Sequence, residues 1–190
     1  MHAGLWRLMV SKKYLNDYTI EYVEKPNGRI KSRAVYIGKL FTFAETIDSV
    51  RRTRKQFTLL SLAVWCLYIL PFCFQSAATG TYYIVFPHAF IFIPALGMSQ
   101  ATFELWTAKA PLTREQSDII SSRAPASALA MLILSGVTLA CFLLRLLISP
   151  GVMLFPGDFV FGVCEAFLVI ASYLLFRRRN QVATCEVSSN

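Results

Sequence analysis

Three ionisable side chains lie inside long apolar runs of the sequence: His88, Arg145 and Glu165. An ionised group at the middle of a membrane-spanning helix costs about 2.5 to 3.5 kcal/mol, so such groups usually have partners. With a rise of about 1.5 Å per residue, they would lie about 9, 5 and 9 Å from the outer ends of their predicted helices. All three are therefore predicted to share the outer third of a bilayer.

These three groups fit more than one role. A short loop joins the runs that hold Arg145 and Glu165, so their helices are predicted to be antiparallel neighbours with an ion pair fixing their register. Alternatively, the guanidinium extends toward lipid phosphate and Glu165 is protonated. A third hypothesis is a polar pocket, shared with His88 and open to the outer face, that binds a small ligand or a proton.

Motifs of catalysis or cofactor binding do not accompany this cluster. The sequence has no Gly-rich phosphate loop, nucleophile elbow or HExxH pattern. Its five cysteines form no CxxC pair and it has two histidines, so neither a metal site nor a cofactor is predicted. We therefore expect a protein without catalytic activity.

Four apolar runs are each long enough to cross a hydrocarbon core of about 30 Å. The charged fraction is only 16 %, against about 25 % in soluble domains. The predicted fold is an all-α membrane protein, an antiparallel four-helix bundle over 57–176, with transmembrane spans at 57–74, 82–105, 125–148 and 159–176.

Two features of the spans predict local geometry. Pro87 and Pro94 each remove a backbone hydrogen bond and are expected to bend the second span. Small residues four apart predict close helix contacts, within the bundle or at a homodimer face. These pairs are Gly136 with Ala140 and Gly162 with Ala166.

Lys and Arg residues that flank the spans fall on one side of the predicted bilayer. The opposite loops, 75–80 and 149–158, contain none, so the positive-inside rule predicts a cytoplasmic N and C terminus. Basic residues beside the first and last spans are predicted to anchor to anionic lipid headgroups: Arg51, Arg52, Arg54, Lys55, Arg177, Arg178 and Arg179. No nucleic-acid motif accompanies them. The short loops and lack of a leader or sorting signal indicate the plasma (inner) membrane of a bacterium.

The segment 1–56 is basic and is predicted to lie in the cytoplasm. Alternating β-forming residues and a Lys-Pro-Asn-Gly turn predict a hairpin over 18–43, with Gly38 as a bend that frees a third strand. A juxtamembrane helix follows at 44–56, and 177–190 is predicted to be a cytoplasmic tail that is disordered over 180–190. Because a lone hairpin is marginally stable in water, it needs another strand, the bilayer surface or a partner.

The sequence thus predicts an integral membrane accessory, assembly or regulatory protein. Its cytoplasmic N-terminal segment would dock another membrane or cytoplasmic protein by adding a strand to an exposed edge. The alternative is a small transporter or channel subunit, or a homo-oligomer of one, that uses the layer of His88, Arg145 and Glu165.

Overall fold

The computed structural model describes residues 12–24, 30–108, 111–148 and 156–187. Most of them are helical, and four helical runs are long and apolar enough to cross a membrane by length and composition. The prediction of four such helices is therefore confirmed. The four runs are Asp48–Cys73, Tyr82–Thr107, Arg114–Ile148 and Pro156–Arg177.

The first run is one helix where the sequence predicted two. Helix α1 spans Ile47–Ile69, so the basic juxtamembrane residues and the first span are continuous. A 3₁₀ turn at Leu70–Cys73 follows, with Pro71 at its start. Proline has no N–H to continue the α-helical ladder, which explains why the last turn tightens there.

The second run is interrupted between its two prolines. Helix α2 covers Tyr82–Phe90 and helix α3 covers Phe92–Thr107, with a break at Ile91. The Ile91 N–H donates to the carbonyl of His88 at 3.1 Å, which is the tighter i to i−3 pattern. Pro94 has no N–H to bond the carbonyl four residues before it, so the ladder cannot pass through this point.

The third run begins earlier than predicted. Helix α4 (Arg114–Asp118), a π-helical turn (Ile119–Arg123) and helix α5 (Ala124–Ile148) follow each other without a gap. Thr113 and Gln116 form a capping box at the start of α4. The predicted third span, 125–148, corresponds to α5, which starts one residue earlier and continues directly from the π turn. The wider π turn just before Pro125 lets the helix continue despite the missing N–H.

The four runs pack as a bundle completed by helix α6, Pro156–Arg177. The contact between α5 and α6 is the most extensive. Helix α1 packs on α3 and α6, whereas α5 packs on α2, α3 and α6. It follows that the α2–α3 run and α6 stand on opposite sides of the bundle, so side chains that join them must cross its centre.

Four short strands form two separate antiparallel sheets. Strands β1 (Tyr18–Glu24) and β2 (Ile30–Tyr36) form the predicted hairpin, whose turn lies outside the described residues. The prediction that the return strand reaches residue 43 is wrong, because β3 (Phe41–Phe43) pairs instead with β4 (Thr184–Glu186). A bend at Gly38 separates β3 from the hairpin, so the backbone groups of β3 form their hydrogen bonds with other parts of the chain.

The C-terminal segment forms a 3₁₀ helix at Arg178–Val182 and strand β4, so the prediction of a disordered tail is wrong over 180–182 and 184–186. Strand β4 occupies one edge of β3, and Leu112 occupies the other with backbone hydrogen bonds of 3.0 and 2.7 Å to Phe41. We call this end of the bundle the sheet end. The opposite end, where the 3₁₀ turn after α1 meets the start of α6, is the loop end.

Polar contacts tie the N-terminal segment to the sheet end. The ammonium group of Lys13 lies 3.0 Å from the carboxylate of Asp118, which also accepts a hydrogen bond from the hydroxyl of Tyr14. Tyr14 is fully buried, and this burial, together with the bond to Asp118, raises the pKa of its phenol. The segment before the hairpin is thus held directly against helix α4.

Candidate functional site

Two of the three predicted ionisable residues meet in the centre of the bundle. His88 lies in the last turn of α2 and Glu165 lies near the middle of α6, and their side chains are 1 % and 0 % exposed. Nδ1 of His88 contacts Oε1 of Glu165. Because α2 and α6 stand on opposite sides of the bundle, this contact joins helices that do not pack side by side.

The hydrogen-bond partners fix where protons can be. Nε2 of His88 lies 3.2 Å from the backbone carbonyl oxygen of Tyr68. A carbonyl oxygen only accepts, so Nε2 carries a hydrogen. The contact between Nδ1 and Oε1 requires one more proton, on either atom. The pair is then imidazolium with carboxylate, or neutral imidazole with carboxylic acid, and its net charge is zero in both forms.

Aromatic rings surround this pair. The ring of Tyr68 stacks on His88 with a centroid distance of 4.8 Å and an angle of 11°. The rings of Phe72 and Phe161 lie 5.2 and 5.5 Å from the imidazole. Such a low-dielectric setting makes an uncompensated charge expensive. Glu165 Oε2 is buried there without a hydrogen-bond partner among the described residues.

Arg145 does not join the pair. It lies half-exposed in the last turn of α5, and it makes no ion pair with Glu165 within the described part of the chain. The expected contact between Arg145 and Glu165 is thus replaced by the contact with His88. A long side chain near a helix end keeps its charged head in a polar medium, which agrees with the half-exposed position.

Sequence reasoning missed a second buried acid, Asp158. Asp158, Glu165 and Ser172 are spaced seven apart on α6 and are all buried, so they share the face toward the centre of the bundle. Asp158 Oδ1 accepts hydrogen bonds from Ser76 Oγ at 2.6 Å and from Ala78 N at 3.0 Å. This places Asp158 as a tie at the loop end. The spacing of seven from Glu165 was the signal that could have found it.

A glycine next to Asp158 permits this tie. A Cβ added to Gly157 would overlap the carbonyl group of Gln75, so a larger residue there would push the loop away. The predicted small pairs differ in their surroundings. An added Cβ on Gly162 would lie 2.5 Å from the Phe142 ring, whereas one on Gly136 meets nothing within 4 Å. Gly162 therefore lies at a close helix contact and Gly136 does not.

Of the alanines in those pairs, Ala140 is exposed and Ala166 is half-buried. A close contact that was not predicted occurs at Gly97, where an added Cβ would lie 2.6 Å from Ser127 Oγ. It brings α3 against α5. Pro87 and Pro94 flank the helix break beside His88, so the break lies next to the ion pair.

A second set of polar contacts crosses the bundle nearer the sheet end. The indole N–H of Trp65 donates to Ser99 Oγ at 2.8 Å, and that of Trp106 donates to Thr58 Oγ1 at 2.6 Å. The two contacts are reciprocal between α1 and α3. Both helices carry the same pattern. A hydroxyl residue is followed by a second hydroxyl residue three positions later and by a tryptophan seven positions later: Thr58, Ser61 and Trp65 on α1, and Ser99, Thr102 and Trp106 on α3.

The predicted membrane anchors are not all alike. Arg51, Arg52 and Lys55 are exposed on α1. Arg54 instead donates a long hydrogen bond of 3.4 Å to the carbonyl of Ala108 and lies 6.0 Å from the Phe43 ring. This side chain connects α1 with the end of α3 and with β3. On α6 and just after it, Arg177 and Arg179 are exposed and Arg178 is half-buried.

Comparisons with known proteins do not place this chain in a family. No protein-family model, curated protein or solved structure matches it. Among the described residues, no three His, Cys, Asp or Glu side chains are grouped closely enough to hold a metal ion. The function is therefore inferred from the arrangement of the chain's own residues.

Proposed function

We propose that this protein is a non-catalytic, multi-pass accessory or assembly protein of a bacterial plasma membrane, and that its hairpin docks a partner protein. Large apolar side chains cover the outside of the bundle on every helical run. Lipid is the favourable solvent for such a surface. Examples that are more than half exposed are Leu59, Ile93, Phe103, Ile133 and Phe167.

Charge supports one orientation of the proposed insertion. The exposed basic residues beside α1 and α6 lie at the sheet end, whereas the described part of the loop end has one basic residue, Arg145 in the last turn of α5. The positive-inside rule then favours a cytoplasmic sheet end with both termini on that side. Anionic lipid headgroups would contact these basic residues.

The single observation that carries partner docking is an apolar hairpin face that is covered at its base and bare at its tip. At the base, the rings of Tyr18 and Tyr36 contact at 5.2 Å and are half-buried. On the same face near the tip, Tyr22 and Ile30 are 74 % and 70 % exposed. A polypeptide laid along this hairpin would cover both side chains.

The sheet itself favours a protein as the occupant. Strands β1 and β2 pair only with each other among the described residues, so each retains an edge with unpaired backbone groups. A partner strand would satisfy these groups and bury the bare tip in one step. Lipid offers no regular row of backbone donors and acceptors, so a protein strand is the better match.

The test is co-purification of the full chain from its native membrane in a mild detergent. We expect a stoichiometric second protein with the unaltered chain and its loss with Tyr22→Ser plus Ile30→Ser. The matched control is Glu21→Gln plus Arg33→Gln, an opposed pair on the other face of the hairpin, which should retain the partner. A partner that survives the first double substitution, or a chain that purifies only as a homo-oligomer, contradicts docking through this face.

A second candidate function is a small transporter or channel subunit, and the buried His88–Glu165 pair favours it. A structural core rarely keeps a buried carboxyl oxygen such as Glu165 Oε2, which has no hydrogen-bond partner in the part of the chain that the structure describes. In vesicles reconstituted with the protein, ion or ligand flux should disappear with Glu165→Gln and persist with Glu104→Gln. Equal flux in both variants, or none with the unaltered chain, contradicts this function.

A further inference from the structure

We propose that His88 and Glu165 form a proton-binding site that holds one exchangeable proton between Nδ1 and Oε1 and exchanges it through Oε2. This inference deepens the second candidate function, because it names the proton as the species that the site binds. It needs neither transport nor partner docking to hold.

The first step is the fixed tautomer. Because Nε2–H donates to the carbonyl of Tyr68, the other ring nitrogen faces Glu165 as the exchanging atom. Moving the proton from Nδ1 to Oε1 converts imidazolium and carboxylate into imidazole and carboxylic acid. No net charge appears in either form, so the transfer avoids the cost of a lone charge in the aromatic surroundings.

The second step concerns the two oxygens of Glu165, which have unlike surroundings. Oε1 contacts the imidazole, whereas Oε2 is buried and has no hydrogen-bond partner among the described residues. A proton that binds Oε2 while the other stays on Nδ1 raises the charge of the site by one. Release of the proton on Oε2 restores the neutral pair, and in the carboxylic acid form a half-turn of the carboxyl group about Cγ–Cδ carries the shared proton to the position of Oε2. This oxygen is therefore the exchange position.

The third step is the absence of a competing charge in contact with the pair. Of the titratable groups on the surrounding elements, Tyr68 on α1 stacks on the imidazole and Cys164 precedes Glu165 on α6. Asp158 is engaged two helical turns away with Ser76 and Ala78, and Arg145 on α5 is half-exposed. Within the described ranges, none of these groups is seen to form an ion pair with Glu165. Loss of the last shared proton would leave a lone negative charge in these apolar surroundings.

Infrared difference spectroscopy of the full chain in lipid nanodiscs tests this proposal. Spectra at about pH 5 and about pH 9 bracket the usual titration of an imidazole group, whereas a carboxyl group in water is already largely ionised at both. We expect a carboxyl band that changes with pH, shifts in deuterium oxide and is lost in Glu165→Gln. The matched control, Glu104→Gln, removes a half-buried carboxyl nearer the sheet end and should leave that band in place.

His88→Gln supplies a second readout. Without the imidazole, Glu165 has no base to share its proton with, so its band should stay at the position of a protonated carboxyl across the same pH range. The proposal is overturned if the Glu165-dependent band is missing or insensitive to deuterium, or if it titrates identically in His88→Gln. Gel filtration identifies variants that fail to fold. If a variant fails to fold, the deuterium shift of the carboxyl band in the unaltered chain tests the proposal instead. Loss of flux with a normal spectrum would contradict transport and leave proton binding supported.

Discussion

The bundle joins its helices by two different kinds of polar contact. Toward the loop end, His88 and Glu165 form an ionisable pair that crosses the centre, and Glu165 Oε2 has no partner among the residues described. Nearer the sheet end, Trp65 and Trp106 donate to hydroxyl groups in two neutral contacts. In the neutral contacts the proton stays on the indole nitrogen that donates it. Both kinds of contact hold helices together, but only the ionisable pair contains a proton that can move between its two side chains.

The two regions also differ in what surrounds them. Aromatic rings enclose the ionisable pair beside a helix break at Ile91, whereas the indole contacts lie between two uninterrupted helices, α1 and α3. A break next to a buried pair gives the local backbone a position at which it can bend without disturbing the rest of the bundle. We therefore expect any change of conformation to begin beside His88.

The largest effect should follow from breaking the ionisable pair. His88→Ala leaves Glu165 buried without its partner, and we expect a loss of about 3 to 5 kcal/mol in the free energy of unfolding. Replacing both, as His88→Phe with Glu165→Leu, should recover much of that loss because no buried charge remains. Denaturant unfolding in detergent micelles measures both. A loss below about 1 kcal/mol in the single variant would mean that the pair is not enclosed.

The next effect concerns the tie at the loop end. Gly157→Ala places a methyl group against the carbonyl of Gln75, and overpacking of this kind costs about 1 to 3 kcal/mol. Gly136→Ala is the matched control, because its added methyl group meets nothing within 4 Å and alanine favours a helix. Thermal unfolding should separate the two variants. Equal melting temperatures would contradict the close approach at Gly157.

How far the sequence predicts this fold depends on whether a feature is local. Hydropathy over about twenty residues is local, and it predicts the four long apolar helices. The capping box of Thr113 and Gln116 is also local, because its residues are three apart in the chain. Strand β4 was not predictable in this way, because Thr184–Glu186 has no pattern of its own. It forms a strand because its backbone pairs with the edge of β3.

The candidate site shows the same limit. Depth along a helix is readable from the sequence, and it groups His88, Arg145 and Glu165 at one level. Which of them meet depends on how each helix is rotated about its axis, and short loops do not determine that rotation. Loop length favoured Arg145 as the partner of Glu165, yet the rotation of α2 and α6 brings His88 to it instead.

Removing the neutral contacts should have a moderate effect that does not vary with pH. We expect Ser99→Ala to lower the free energy of unfolding by about 0.5 to 1.5 kcal/mol, because the indole of Trp65 loses its acceptor. Thr107→Ala is the control, since that hydroxyl bonds only to its own helix. Denaturant unfolding at about pH 5 and about pH 9 measures the pH dependence. If the stability loss in Ser99→Ala varied with pH, it would contradict the expectation that this contact is neutral and unlike the His88–Glu165 pair.

The smallest effect is expected at the exposed ion pair of the sheet end. Lys39 and Glu186 lie 2.9 Å apart with side chains 67 % and 50 % exposed. Exposed pairs contribute about 0 to 1 kcal/mol and are screened by salt, so Glu186→Gln should change unfolding little. Raising the salt to about 0.5 M should remove even that difference, while the effect of His88→Ala persists because its pair is enclosed. Denaturant titrations at low and high salt compare them. Equal salt sensitivity would place the two ionisable pairs in the same environment and contradict the enclosure of His88 and Glu165.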